Sequence, residues 1–180
     1  MRKSLILFRG LPGTGKTYLA KKLKERLPEL ILISRDSVRA KVFVNPQYSN
    51  EEKEQLLSVI LFTIEEHSGN DSIIIDGMTF PTRESMEPFR KSAEQNNMQL
   101  RIIECFCTEE TALKRISDDV IEKAHPVVDT DEDLYYHVRE IFEPFSGFHL
   151  KINTEDDDNK NIDRIVAYLS ARIMKIYNDP

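Results

Sequence analysis

Apolar residues along this chain follow two alternating patterns. Unbroken apolar runs occur at Leu5-Ile6-Leu7-Phe8, at Leu30-Ile31-Leu32-Ile33, from Ser72 to Asp76 and from Leu100 to Cys107, with a last one from His149 to Asn153. Runs of this length predict strands buried on both faces, as in a parallel sheet. Between them the apolar spacing changes to three and four. Leu19, Leu23 and Leu27 share one helical face, with Lys21, Lys22, Lys24 and Glu25 outward and Pro28 as the stop. A short helix is expected from Ser34 to about Phe43, before Asn45-Pro46, and a long one from Glu51 to about His67 carrying Leu56, Leu57, Ile60, Leu61 and Ile64. Thr82 to about Gln95 predicts another, with Met86, Phe89 and Ala93 inward.

The stretch 108–147 reads as an excursion, helical around Ala112 to Glu122 and again where Leu134, Val138, Ile141 and Phe142 share a face. Lys123-Ala124-His125-Pro126 separates the two pieces, with His125 filling the hinge, and Tyr135, Tyr136 and Phe142 are expected in the core of this cover. The acidic turn Glu155-Asp156-Asp157-Asp158 reads as a solvated loop favouring the N-terminus of a last helix with Ile162, Ile165, Val166, Leu169, Ile173 and Ile176. Five strands joined by helical crossovers predict an α/β chain: a mostly parallel five-stranded sheet between two helical layers, in one domain spanning residues 1–180 with 108–147 as a lid.

Composition narrows the class. The 180 residues are 31% charged and 40% hydrophobic, an ordinary soluble balance. A net charge of −6 and a pI near 5.3 disfavour a duplex nucleic-acid partner and favour small substrates. Cys105 and Cys107 stand on the same side of a predicted strand, an arrangement unsuited to a disulfide, and read as buried bystanders. No leader or bilayer-spanning run is visible, so a cytoplasmic location is expected.

The chemistry begins at Gly10-Leu11-Pro12-Gly13-Thr14-Gly15-Lys16-Thr17, which fits G-x-x-x-x-G-K-[ST] between a predicted strand and a predicted helix. Chance alone produces the four fixed positions in a chain this long roughly once in a hundred. Backbone N–H groups from Leu11 to Thr17 and the helix N-terminus would cradle phosphates, Lys16 would reach their outer oxygens and the Thr17 hydroxyl would sit on Mg²⁺. Asp76 closes a buried strand, where a carboxylate can orient the same Mg²⁺. Asp36 and Arg39 are spaced i, i+3 on the helix after the second strand. The aspartate could take a proton from an attacking hydroxyl while the arginine holds a phosphate; locally, an N-cap and a surface arginine are the plain alternatives. Arg83, following Phe80-Pro81-Thr82, is a further candidate for the acceptor side.

These stretches, with Ile75-Asp76 and Ala112-Leu113-Lys114-Arg115, resemble in order and spacing the small P-loop kinases of the polynucleotide 5′-kinase, seryl-tRNA kinase and chloramphenicol phosphotransferase-like group, which carry an AAA-type ATP-binding domain. The resemblance implies ATP and Mg²⁺, Asp36 as base toward the acceptor hydroxyl, Arg39 on the acceptor's phosphate and Arg115 as a lid arginine on the phosphates in transfer. Two positions depart from the group. Met78 stands where an Asp-x-Asn arrangement would put an amide, and Asp119 stands where a second lid arginine is common, leaving Lys123 and His125 as the nearest cations. The expectation is an ATP-dependent phosphotransferase acting on a hydroxyl of a small molecule or nucleotide-like acceptor. The alternatives are an ATP-binding switch, although no Asn-Lys-x-Asp guanine signature is present, and a 5′-OH polynucleotide kinase.

Overall fold

Residues 3–69, 71–123 and 132–171 are described by a computed structural model of the chain. Five strands form one sheet: β1 (Ser4–Arg9), β2 (Ile31–Ser34), β3 (Ile73–Asp76), β4 (Gln99–Phe106) and β5 (Leu150–Asn153). Their order is β2-β3-β1-β4-β5, and every pairing is parallel, so the expected "mostly parallel" sheet is parallel throughout. β1 occupies the centre, and all six of its residues are buried.

Alternation along β1 divides the core in two. Leu5 and Leu7 face α3 (Asn50–His67) and α4 (Arg83–Gln95), packing with Leu56, Ile60, Ile64, Phe80 and Phe89. Ile6 and Phe8 face α1 (Lys16–Arg26) and α7 (Asp158–Ser170), packing with Leu19, Leu23, Ile162, Ile165 and Leu169. The result is the three-layer α/β/α arrangement that the apolar runs require. Among the described residues no helix is long and apolar enough to cross a membrane.

α2 (Arg35–Val42) follows β2 without a loop, held by the Ser34 hydroxyl on the Ser37 N–H. The excursion contains α5 (Glu109–Lys123) and α6 (Glu132–Ile141). Tyr135 packs with Ala112 and Ile116 as expected, and Val138 is buried, whereas Ile141, expected on the inward face, is 43% exposed. The ring hydroxyl of Tyr136 donates instead to Glu109 at the surface. Phe142 lies just beyond α6, under the guanidinium of Arg9 at 4.4 Å. His125, Ile173 and Ile176, named above, lie outside the described residues.

Arg9 closes β1 and is 1% exposed. Its Nη1 pairs with Glu104 at 3.3 Å, its Nη2 donates to the Glu143 carbonyl at 2.7 Å, and its plane lies over Phe142 and Phe145. Burial lowers its pKa, opposed by Glu104 and Glu143. One side chain therefore anchors the root of the excursion to the strand that leads into the glycine loop. Glu104 also contacts Lys151 at 3.0 Å, so an Arg9→Met variant does not strand the carboxylate. Loss of the buried pair and the carbonyl contact should still destabilise the fold by about 3 kcal/mol, measured by urea unfolding. A change under about 0.5 kcal/mol would show that Arg9 carries no anchoring role.

Candidate nucleotide and acceptor site

The loop between β1 and α1 is held by its own threonine: Thr14 Oγ1 donates to the Leu11 carbonyl at 2.7 Å. Gly13 has φ +72°, and a Cβ there would fall 2.3 Å from the carbonyl oxygen of Ala112 in α5. Only a residue without a side chain allows this approach. α1 has Gly15 as its N-cap, with no side-chain cap and no acidic residue in its first turn. By contrast, α2, α3 and α4 are capped by Ser34, Ser49 and Thr82. The first N–H groups of α1 thus lack an internal acceptor and present the positive helix end to the cleft, which fits a bound phosphate.

Lys16 Nζ donates to the carbonyls of Gly10 at 3.0 Å and Leu11 at 2.7 Å. Burial dominates its environment and lowers its pKa to about 8. Thr17 Oγ1 donates to Asp76 Oδ1 at 2.8 Å, and Asp76 is 3% exposed at the floor of the site. The spacing of strand end and helix start brings the hydroxyl and carboxylate together as expected. Among the described residues no group of three or more His, Cys, Asp or Glu could hold a metal. A Mg²⁺ ion would accordingly depend on Thr17, Asp76 and the phosphates themselves, a hard-oxygen set that suits it.

Parallel pairing sets Ser34 opposite Asp76, which carries the start of α2 to the same sheet edge. Asp36 Oδ2 lies 3.4 Å from the Cβ position of Gly77, the residue after Asp76. Its other oxygen takes Arg35 Nη2 and Nε, both at 3.1 Å, and the side chain is 69% exposed. Arg39 is 6% exposed, its Nε 3.3 Å from Glu52 Oε1, with its guanidinium 4.4 Å from the Tyr48 ring centroid. It is a buried, paired cation, where the expectation was an arginine holding a phosphate and the plain alternative a surface arginine. Arg83 begins α4, its N–H held by Glu143 Oε2 at 2.8 Å; Glu84 and Ser85, rather than Arg83, line the cleft.

Arg115 reaches across from α5. Its Nη1 donates to Thr154 Oγ1 at 2.9 Å, and its Nη2 to the Thr154 carbonyl at 3.0 Å. This fork seats it on the loop after β5, beside Gly15. Asp119 lines the same cleft.

One cleft of about 1270 Å³ joins these parts, lined by Gly13, Lys16, Thr17, Asp36, Arg39 and Arg115 among others. That exceeds the roughly 300–1,000 Å³ of a single small-molecule pocket and has room for two ligands. Sequence reasoning missed Glu52, Tyr48 and Thr154. Glu52 resembled an ordinary acid in a helix first turn, yet it is 6% exposed and its Oε2 accepts the N–H groups of Gln47 at 2.6 Å and Tyr48 at 3.0 Å. The break at Asn45-Pro46 before a capped helix was the available signal.

Two outcomes follow for the loop. Gly13→Ala and Gly15→Ala both force an L-residue to positive φ, costing roughly 1–2 kcal/mol. Only the first collides with a backbone carbonyl, since the Gly15 Cβ position has its nearest neighbour at 3.4 Å. Calorimetry with ATP should find Gly13→Ala the weaker binder by at least ~10-fold; equal losses would dismiss the α5 contact. The Lys16 ammonium is charged below pH about 8 and loses its proton as pH rises through that value. Triphosphate favours the charged form, so ATP affinity should fall by roughly 20-fold between about pH 7.5 and about pH 9.5 and stay flat in Lys16→Arg.

The chain matches the AAA domain family over residues 5–131. Among solved structures it is similar to the Mycobacterium tuberculosis APS kinase CysC bound to AMPPNP and APS, at TM-score 0.71 and 14% identity over 94% of this chain and 99% of that one. A gluconokinase from Sinorhizobium meliloti 1021 gives 0.65 and 15% over 93% and 91%. Chaetomium thermophilum Kti12 with ADP-AlF3 gives 0.69 and 16% over 93% and 100%. At these identities the likeness is one of fold, and each similarity runs nearly the full length of both chains. With the glycine loop, the Thr17–Asp76 contact and the all-parallel sheet in place, the chain belongs to the AAA domain family and has the fold of the small P-loop kinases.

Proposed function

We propose that the protein is an ATP-dependent phosphotransferase that moves the γ-phosphoryl group to a hydroxyl of a small acceptor. One observation carries this reading: Asp36, a solvent-accessible carboxylate, stands beside the residue following Asp76 and lines the same cleft as Lys16 and Thr17. A carboxylate in this place can meet a hydroxyl brought to the phosphate side of the cleft. The two-ligand volume of the cleft supports the same conclusion.

In this reading the amides from Leu11 to Thr17 and the Lys16 ammonium hold the phosphates of ATP, and Thr17 with Asp76 holds Mg²⁺, which neutralises developing charge when bound. Asp36 orients the acceptor hydroxyl and accepts its proton as the acceptor oxygen bonds to the γ-phosphorus. The bond from that phosphorus to the β-phosphate oxygen breaks, and ADP leaves. Arg115, seated on Thr154, places a positive charge over the loop side of the cleft, and α5 and α6 shield the reacting groups from water.

Asp36→Asn keeps the shape and removes the base. It should leave ATP affinity within about threefold of the parent and lower phosphoryl transfer from [γ-³²P]ATP by at least ~10²-fold. Retained transfer would remove Asp36 from the mechanism. Tight ATP binding with slow turnover and no labelled product across nucleosides, 5′-OH oligonucleotides, sugars and other alcohols would instead support a nucleotide-dependent switch.

A further inference from the structure

The acceptor half of the cleft has a chemistry that the glycine loop does not determine. Resting on the phosphotransferase reading above, we infer that the acceptor is an uncharged alcohol with an apolar body, and that Arg39 is a positioning residue of that pocket rather than a clamp for an acceptor phosphate.

The first support is the lining. Beyond Asp36 the cleft is walled by Tyr48, Leu57, Met78 and Pro88, with Leu134 and Val138 lining it from α6. Leu57 and Met78 are half-buried against the core cluster under α3 and α4, and both line the cleft. Surfaces of this kind recognise rings and chains by excluding water from them, not by hydrogen bonds.

The second support is the disposition of charge. Arg39 lines this half, but its charge is already matched by Glu52 at 3.3 Å, in a pair whose members are each 6% exposed. Its flat face is covered by Tyr48 at 4.4 Å. Glu52 is committed in turn to the Gln47 and Tyr48 N–H groups. Pulling Arg39 onto a phosphate would leave the buried Glu52 carboxylate without this counter-charge, which is strongly unfavourable. What Arg39 does is fix the loop that places the Tyr48 ring, a residue at φ +57°, as a wall of the pocket. The other cation near Asp36 is Arg35, engaged by Asp36 itself at 3.1 Å. At the rim, Lys53 and Glu84 contribute one charge of each sign. A phosphorylated acceptor or a polynucleotide end finds no net positive field in this half of the site.

The third support is Met78 itself. Its thioether lines the cleft beside Gly77 and offers a bound group apolar contact and only a weak hydrogen-bond acceptor.

The test uses the full chain with AMPPNP and Mg²⁺, titrated with N-phenyl-1-naphthylamine, a neutral apolar fluorophore. Saturable binding is expected, at least ~10-fold weaker in Leu57→Glu and several-fold weaker in Met78→Asn, the milder change that restores an amide and keeps the fold. Phe62→Ser, on the exposed outer side of α3, should leave it unchanged. Adenosine 5′-monophosphate should not displace the fluorophore, and transfer from [γ-³²P]ATP should favour 3-phenyl-1-propanol over glycerol 3-phosphate by at least ~10-fold in kcat/KM. No saturable binding, indifference to both Leu57→Glu and Met78→Asn, displacement by adenosine 5′-monophosphate, or the opposite acceptor order would overturn the inference. AMPPNP binding, followed by calorimetry in the same preparations, separates the two readings. A chain that binds AMPPNP but not the fluorophore rejects this inference alone; one that binds no AMPPNP rejects the phosphotransferase itself.

Discussion

The site depends on a backbone contact with no side chain between its partners: the glycine at position 13 lies against the Ala112 carbonyl, where a Cβ would come within 2.3 Å. The loop that would hold phosphate is therefore in direct contact with the first turns of the helix that begins the cover. Two further contacts strengthen that tie. Arg115, one turn further along α5, forks onto Thr154 and comes within 3.4 Å of the Gly15 Cβ position. At the other end of the cover, Arg9 binds the Glu143 carbonyl and stacks on Phe142. Arg9 immediately precedes the loop. Both roots of the excursion are thus fastened to the two ends of the same short segment, so a change in loop geometry is felt at each of them.

Much of the fold could be read locally because buried parallel strands advertise themselves. Leu5 to Phe8 and Ile73 to Ile75 are apolar at every position because both faces of the sheet are covered. The glycine loop was legible for a related reason: Gly10 to Thr17 take a backbone conformation set by adjacent residues, and Asp76 is placed by the end of its own strand. Arg39 was not legible. Its fate is decided by Glu52, on a different helix, and by a turn in which Tyr48 adopts a left-handed conformation that sequence spacing does not announce. Arg115 was expected over the phosphates from the resemblance; its seat on Thr154, 39 residues away, was not legible. On α6 the periodicity also selected Ile141, which is exposed, while Tyr135 packs on α5 as its aromatic character suggested.

The same distinction separates the two halves of the cleft. Donor-side charge is arranged to be open: an uncapped helix start, and an ammonium whose partners are two carbonyls rather than a carboxylate. These groups gain stronger partners when an anion arrives, so their present geometry is poised for one. Acceptor-side charge is arranged to be closed. Arg39 is matched by Glu52 and Arg35 by Asp36, and the space between them is faced with thioether, leucine and a tyrosine ring.

An open donor half and a closed acceptor half follow from one constraint on phosphoryl transfer. The charge that must be stabilised is carried in by ATP and grows on its phosphates, so fixed dipoles and cations belong around the loop. An acceptor hydroxyl contributes no charge until its proton is taken, and only Asp36 need meet it. In the proposed reaction, additional unpaired cations beside the acceptor would compete with the loop for the triphosphate. Sequestering Arg39 under Tyr48 and against Glu52 therefore does two things: it supplies rigid structure to the pocket wall, and it keeps that cation from drawing the triphosphate away from the loop.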